Sequence, residues 1–165
     1  MQPPRDHVDS ILAQWKRERP DLDASPMGIL GRITRLESYA GRRIADELAR
    51  FDLARGEFDV LATLRRSGAP HRLHPKALSE RLMLSSAAMT NRLDQLEKRG
   101  LIRRTDDPDD RRALLIELTA EGKKLVDAAV AAHVANEERI LAVLTKKERK
   151  ELAELLRKML LSMEE

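Results

Sequence analysis

Apolar side chains return every three or four positions over most of the 165-residue chain, and the breaks fall at prolines, glycines and clusters of charge. That period lays one apolar stripe along each helix. Residues 8–18 carry Ile11, Leu12 and Trp15 on one face, and the stretch from Pro20 to Pro26 reads as a linker that ends this short helix. A longer helix from about Ile29 to Phe51 repeats Ile29, Ile33, Leu36, Ala40, Ile44 and Leu48. Glu57 to Ser67 forms the next, built on Phe58, Leu61, Ala62 and Leu64 and closed by Gly68-Ala69-Pro70. Pro75 suits the first position of a short helix ending near Leu82, where its missing N–H would go unpaired anyway. Ser85 starts another that runs to Arg99.

Gly100 halts that helix, and Leu101-Ile102-Arg103-Arg104 and Ala113-Leu114-Leu115-Ile116-Glu117-Leu118 flank the turn-rich Asp106-Asp107-Pro108-Asp109-Asp110, which predicts a β-hairpin. Thr119 caps a long helix through about Ile140, and Thr145-Lys146-Lys147-Glu148 has capping-box spacing for the last. There Leu152, Leu155, Leu156, Met159, Leu160 and Met163 mark one apolar face. Two short helices joined by a tight turn and followed by a hairpin make a winged helix-turn-helix. The expected fold is mainly α with a small β-hairpin wing. The outer helices are too long and too apolar on one face for that central unit to satisfy alone, so a two-fold homodimer through the N- and C-terminal helices is expected. The chain then divides into an extension helix and linker (1–26), a dimerisation helix and connection (27–56), a winged helix-turn-helix lobe (57–118) and C-terminal dimerisation helices (119–165).

Charge changes this picture little. Lys and Arg number 31 against 28 Asp and Glu, with a net charge of +2 over residues 1–80, +1 over 81–118 and zero over 119–165, so charge alone does not establish a DNA partner. The absence of cysteine removes disulfides, thiolate zinc sites and a cysteine nucleophile, and fits a reducing compartment. No apolar run approaches the roughly 20 residues that span a bilayer, and the first residues lack a signal-peptide core, so a cytoplasmic protein without a membrane partner is expected.

Catalytic and metal chemistry find no constellation. His71 and His74 stand three apart before Pro75 with no third ligand in view, which argues against zinc, and His7 and His133 are isolated. No Ser-His-Asp or HExxH arrangement, Walker loop or GxGxxG occurs, and Gly28-Ile29-Leu30-Gly31 is too short to cradle a phosphate. Asp94 and Glu97, like Glu137 and Glu138, read as solvated helical charges. Neither an enzyme nor a cofactor is called for.

Residues 57–122 resemble the MarR family of bacterial transcription regulators. The resemblance rests on Leu84-Ser85-Ser86, on Leu96-Glu97-Lys98-Arg99-Gly100-Leu101-Ile102, on Asp110 through Gly122, and on the spacing between these blocks. The flanking helices match in position and character. The family implies a dimeric repressor on a pseudo-palindromic operator of double-stranded DNA. Ala54 departs from the pattern, standing where the family has a capping Ser or Thr, at a cost of about 1 kcal/mol of helix stability.

In the helix from Ser85 to Arg99, Met89, Leu93 and Leu96 form the buried face, leaving Ser86, Ala87, Thr90, Asn91 and Gln95 outward. Asn91 can take adenine bidentately, and the methyls of Ala87 and Thr90 can meet thymine methyls, whereas the bland alternative is a solvated helix face. The resemblance places Arg112 in the minor groove with Asp110 holding it, and Arg111 on phosphate. Taken without the family match, that tip is a cluster in which aspartates neutralise arginines. Arg81, Lys98, Arg103 and Arg104 are candidate phosphate contacts.

Arg92 is a charge on the inward side of the same helix, where the family has an apolar residue, and it needs a partner. Asp59 and Arg66 lie seven apart on one face of the preceding helix, so Asp59 is expected to pair with Arg92 and Arg66 to stand nearby. With Trp15 these residues resemble the urate-responsive branch of the family, which implies a small-molecule effector, urate or another anionic aromatic. In that reading Arg66 and Arg92 hold the ligand, the indole contacts it and Asp59 is repelled. The alternatives are a plain ion pair with Trp15 pinning the extension and, for the whole chain, a helical dimer that binds protein without engaging DNA.

Overall fold

A computed structural model describes residues 4–110 and 113–164. Two compact units divide it, residues 1–43 and residues 44–165. In the first, α1 (His7–Glu18) is capped by Asp6, whose carboxylate accepts from the Asp9 N–H at 3.0 Å while the Asp9 carboxylate accepts from the Asp6 N–H at 2.8 Å. That backbone bond, with the Arg32 guanidinium beside it, holds the Asp6 carboxyl below the ordinary carboxylate range. Arg32 lies on α2 (Ser25–Ala49) and also pairs with Asp9, fixing α1 beside it, with Val8 buried near Gly31. The helix starts four residues before the expected Ile29 and includes Pro26, which the sequence reading assigned to the linker. Near a helix start a proline withholds no bond the helix needs. The apolar stripe is divided: Ile29 and Leu36 are both more than 60% exposed, whereas Leu48 is fully buried in the core.

The second unit contains the expected helix-turn-helix and hairpin. α3 (Arg55–Arg66) follows Ala54, which gives no side-chain cap, yet Glu57 accepts from the Ala54 N–H at 2.8 Å and supplies half of a capping box. β1 (Arg72–Leu73) leads into α4 (Pro75–Leu82), and Met83 in the left-handed region turns the chain toward α5 (Ser86–Lys98). Ser85 caps α5 by accepting from the Ala88 N–H at 3.3 Å. β2 (Ile102–Asp106) and β3 (Leu114–Leu118) are the wing. β3 is the middle strand of an antiparallel sheet ordered β1-β3-β2, with Arg104 opposite Ile116 and Leu73 on the other side of Ile116. The core gathers Leu61, Leu64, Leu78, Leu96, Ile116 and Val126, all fully buried.

α6 (Ala120–Ile140) and α7 (Lys146–Glu164) complete the chain, with the anticipated caps at Thr119 and Thr145. α7 buries none of its residues; Leu155 and Leu160 are about 60% exposed. Among the described residues no helix is long and apolar enough to cross a membrane.

The start of α6 is locked to the helix-to-wing turn. Thr119 donates through its N–H to the Leu101 carbonyl at 3.2 Å and through its hydroxyl to the Gly100 carbonyl at 2.8 Å. Gly122 presses onto the same turn: a β-carbon there would overlap the Leu101 carbonyl oxygen and lie 2.9 Å from its carbon. Because the obstacle is backbone, it cannot swing aside. Gly122→Ala is expected to destabilise the protein by about 1–3 kcal/mol as an overpacking change, although alanine is the better helix former. Urea denaturation measures it, and an unchanged midpoint contradicts the contact.

Candidate nucleic-acid interface

The proposed reading helix is oriented by its own amphipathicity. Met89 and Leu93 are 2% exposed and Leu96 is fully buried, so one side of α5 is committed to the core. Ser86, Ala87, Thr90, Asn91 and Gln95 are exposed on the other. The Thr90 hydroxyl donates to the Ser86 carbonyl at 2.9 Å, which leaves its methyl for contact. Ser86 and Thr90 line an open groove of about 660 Å³ between α4 and α5, together with Ser79, Lys76 and the almost fully exposed Met83. Such a surface presents small donors, acceptors and methyls at the size a major groove admits.

The candidate cations divide into two kinds. Arg81 and Lys98 are exposed on α4 and α5. Arg103 is paired with Glu117 at 2.7 Å, a bond that raises its guanidinium pKa. Arg104 was expected on phosphate, but its guanidinium bonds Asp94 at 2.6 Å and also Glu97, both on α5. The Asp94 bond leads in pushing its pKa up. Glu97 also accepts from the Arg104 N–H at 3.1 Å, so the side chain braces the wing strand on the recognition helix. The sequence reading treated Asp94 and Glu97 as merely solvated. The signal it passed over is their i, i+3 spacing on a helix that ends shortly before Arg103-Arg104.

At the wing tip, Asp110 accepts through its carbonyl from the Ala113 N–H at 2.9 Å and is exposed, while Arg111 and Arg112 lie outside the described residues.

The ligand candidates are partly brought together. Asp59 and Arg66 line a cleft of about 610 Å³ between α3 and α6, floored by Phe58, Leu82 and Val130 and flanked by the Arg65–Asp127 pair at 2.7 Å. Arg66 donates to the Thr63 hydroxyl at 3.1 Å. Arg92 does not line this cleft, and among the described residues it forms no ion pair with Asp59. Its guanidinium instead rests on Gly56 in the first turn of α3, where a β-carbon would stand 2.5 Å from Nε and 2.7 Å from Nη2. The missing side chain makes the room that sequence reasoning assigned to a carboxylate. Trp15 stands in the first unit on α1, 38% exposed. Among the described residues no group of three His, Cys, Asp or Glu could hold a metal.

Comparison with known proteins agrees with this architecture. The MarR family model matches residues 53–114. The HTH-type transcriptional regulator PecS of Dickeya dadantii is 40% identical over 149 residues, covering 90% of each chain. Two solved structures share the fold: AbsC, a MarR family transcriptional regulator from Streptomyces coelicolor, and the S. aureus MepR–DNA complex. AbsC has a TM-score of 0.78 at 20% identity, over 87% of this chain and 97% of its own. MepR has a TM-score of 0.70 at 26% identity, over 86% of this chain and 98% of its own.

Arg104→Ala would leave two carboxylates on α5 without their cation. Hydrogen bonds to charged groups carry about 1.5–3 kcal/mol before solvent screening, so with Arg104 about a quarter exposed a loss of about 1–2 kcal/mol is expected in urea denaturation. A neutral result contradicts the brace.

Proposed function

The chain belongs to the MarR family of transcriptional regulators, and from that premise we propose that it represses transcription by binding a pseudo-palindromic operator as a homodimer, released by a small anionic aromatic ligand such as urate. The observation that carries the DNA reading is the outward face of α5, where Ser86, Ala87, Thr90 and Asn91 are exposed because Met89, Leu93 and Leu96 are not. Asn91 reads adenine, the methyls of Ala87 and Thr90 meet thymine, and Arg112 enters the neighbouring minor groove with Asp110 holding it, while Arg111 meets phosphate. Arg81 and Lys98 meet phosphate and set register.

The exposed apolar positions of α2 (Ile29, Leu30 and Leu36) and of α7 (Leu155 and Leu160) support the dimer, since apolar patches of that kind mark protein–protein contacts. A two-fold protein matches a two-fold operator.

The cleft between α3 and α6 supports the effector reading. Arg66 offers a cation at its edge, Asp59 a charge that an anion repels, and the apolar floor suits a flat ring. Movement of α3 reaches α5 through its first turn, because Arg92 sits on Gly56 and Arg99 pairs with Glu57 at 3.3 Å. A ligand that weakens operator affinity a hundredfold needs about 2.7 kcal/mol of preference for the DNA-incompetent state.

Titration of the purified protein on the intergenic duplex beside its own gene tests the reading. Asn91→Ala is expected to lose about 1–3 kcal/mol of discrimination at one adenine. Arg112→Ala is expected to weaken binding, and unchanged affinity there refutes the wing assignment. Arg104→Ala is expected to leave the slope of log K against log salt unaltered, whereas loss of a phosphate contact lowers it by about 0.9.

Adding urate at fixed salt is expected to release the duplex, with Arg66→Ala blunting the response. Binding indifferent to urate retains the regulator and discards that ligand.

A further inference from the structure

His74 and Asp107 join the start of the helix-turn-helix to the base of the wing. His74 is the N-cap residue of α4, in extended backbone with no side-chain cap bond, and its Nε2 lies 3.1 Å from Asp107 Oδ2. Asp107 is only 9% exposed and follows directly on β2. Its Oδ1 accepts from the Asp109 N–H at 2.9 Å, and its own N–H donates to the Ala113 carbonyl at 3.1 Å, closing the base of the wing. One carboxylate therefore both shapes the turn of the wing and reaches across to α4.

A buried carboxylate is costly unless its charge is met. One oxygen of Asp107 has a backbone N–H, while the other faces an imidazole that carries charge only when protonated. The ring stands at the positive end of the α4 dipole, which disfavours a cation there. Lys76 and Glu80 line the same small cleft beside His74, with Ala113 and Leu114 from the wing, and at 4.0 Å from each other their charges largely offset. Asp107 is thus the carboxylate that the ring meets directly.

We infer that His74 is a positioning residue for the wing: protonated, it is drawn onto Asp107 and holds the wing base against α4, so that operator affinity rises as pH falls through the histidine range. The inference rests on the DNA reading above.

The test measures affinity for the operator duplex between pH 8 and pH 6 at constant ionic strength in the wild type, His74→Gln and Asp107→Asn. Hydrogen exchange at the Asp107 and Ala113 amides, corrected for intrinsic rates, runs alongside. Glutamine keeps a donor that cannot charge, and asparagine keeps the acceptor for the Asp109 N–H without the charge. Both variants retain His7, His71 and His133, so the difference isolates the pair. The wild type is expected to gain roughly two- to fivefold more affinity than either variant on acidification, as fits a half-exposed pair. The three proteins agree at pH 8, and only the wild type slows exchange at the wing base at pH 6. An equal pH gain in all three overturns the inference. A gain kept by Asp107→Asn but lost by His74→Gln also overturns it, assigning His74 to phosphate. If no duplex binds specifically, the DNA reading fails, and exchange still decides the latch: equal protection in all three proteins at pH 6 refutes it.

Discussion

The burial of Met89, Leu93 and Leu96 is the constraint on which the rest of the lobe depends. These three side chains fix the rotation of α5 about its axis, and a helix fixed in rotation has a defined outer face. Rotation by one residue, about 100°, would bury a polar side chain and expose a leucine, at a cost of a few kcal/mol in lost apolar burial alone. The exposed polar face of α5 is therefore specified from beneath, by side chains that are themselves buried. Polar braces refine what the core fixes, with Arg104 holding β2 to α5 and Arg99 holding α5 to the start of α3.

The two arginines that meet the first turn of α3 do so by different physics. Arg99 takes Glu57 in an ion pair, and Glu57 also caps the helix by accepting from Ala54, so this carboxylate links helix start and recognition helix. Arg92 takes a space, lying where any residue larger than glycine at position 56 would stand. The Arg92 guanidinium is the end of a flexible, partly buried side chain, so this seat can yield, whereas the Glu57 pair holds by charge. Both contacts join the start of α3, the helix that lines the cleft, to α5.

The elements that sequence reading identified are those with a local signature. Thr119 and Thr145 announce helix starts by capping chemistry, Pro75 by its missing donor, and the 3.6-residue period marks α3, α5 and α6. β1 has none: two residues, Arg72 and Leu73, become strand only because β3 lies beside them. The partner of Arg92 was misread for a related reason. A buried guanidinium suggests a carboxylate, yet the structure meets it with a glycine, and the absence of a side chain has no charge pattern to reveal it. Asp94 and Glu97 were dismissed because an exposed helical carboxylate and one pairing with a strand ten residues away look alike in sequence.

That last ambiguity explains why net charge said so little about DNA. Residues 81–118 carry a net charge of only +1, which reads as indifference to a polyanion. Four of the segment's seven acids are engaged: Asp94 and Glu97 share Arg104, Glu117 pairs with Arg103, and Asp107 lies buried beside His74, while Asp106, Asp109 and Asp110 are exposed. A close ion pair is a dipole whose field falls off faster than that of a charge, and at physiological salt it is screened beyond about 8 Å. What an approaching duplex meets is governed by exposed groups such as Arg81 and Lys98 and not by the sum over the segment. The acids that do serve as internal struts leave Arg81 and Lys98 exposed although the segment as a whole is nearly neutral.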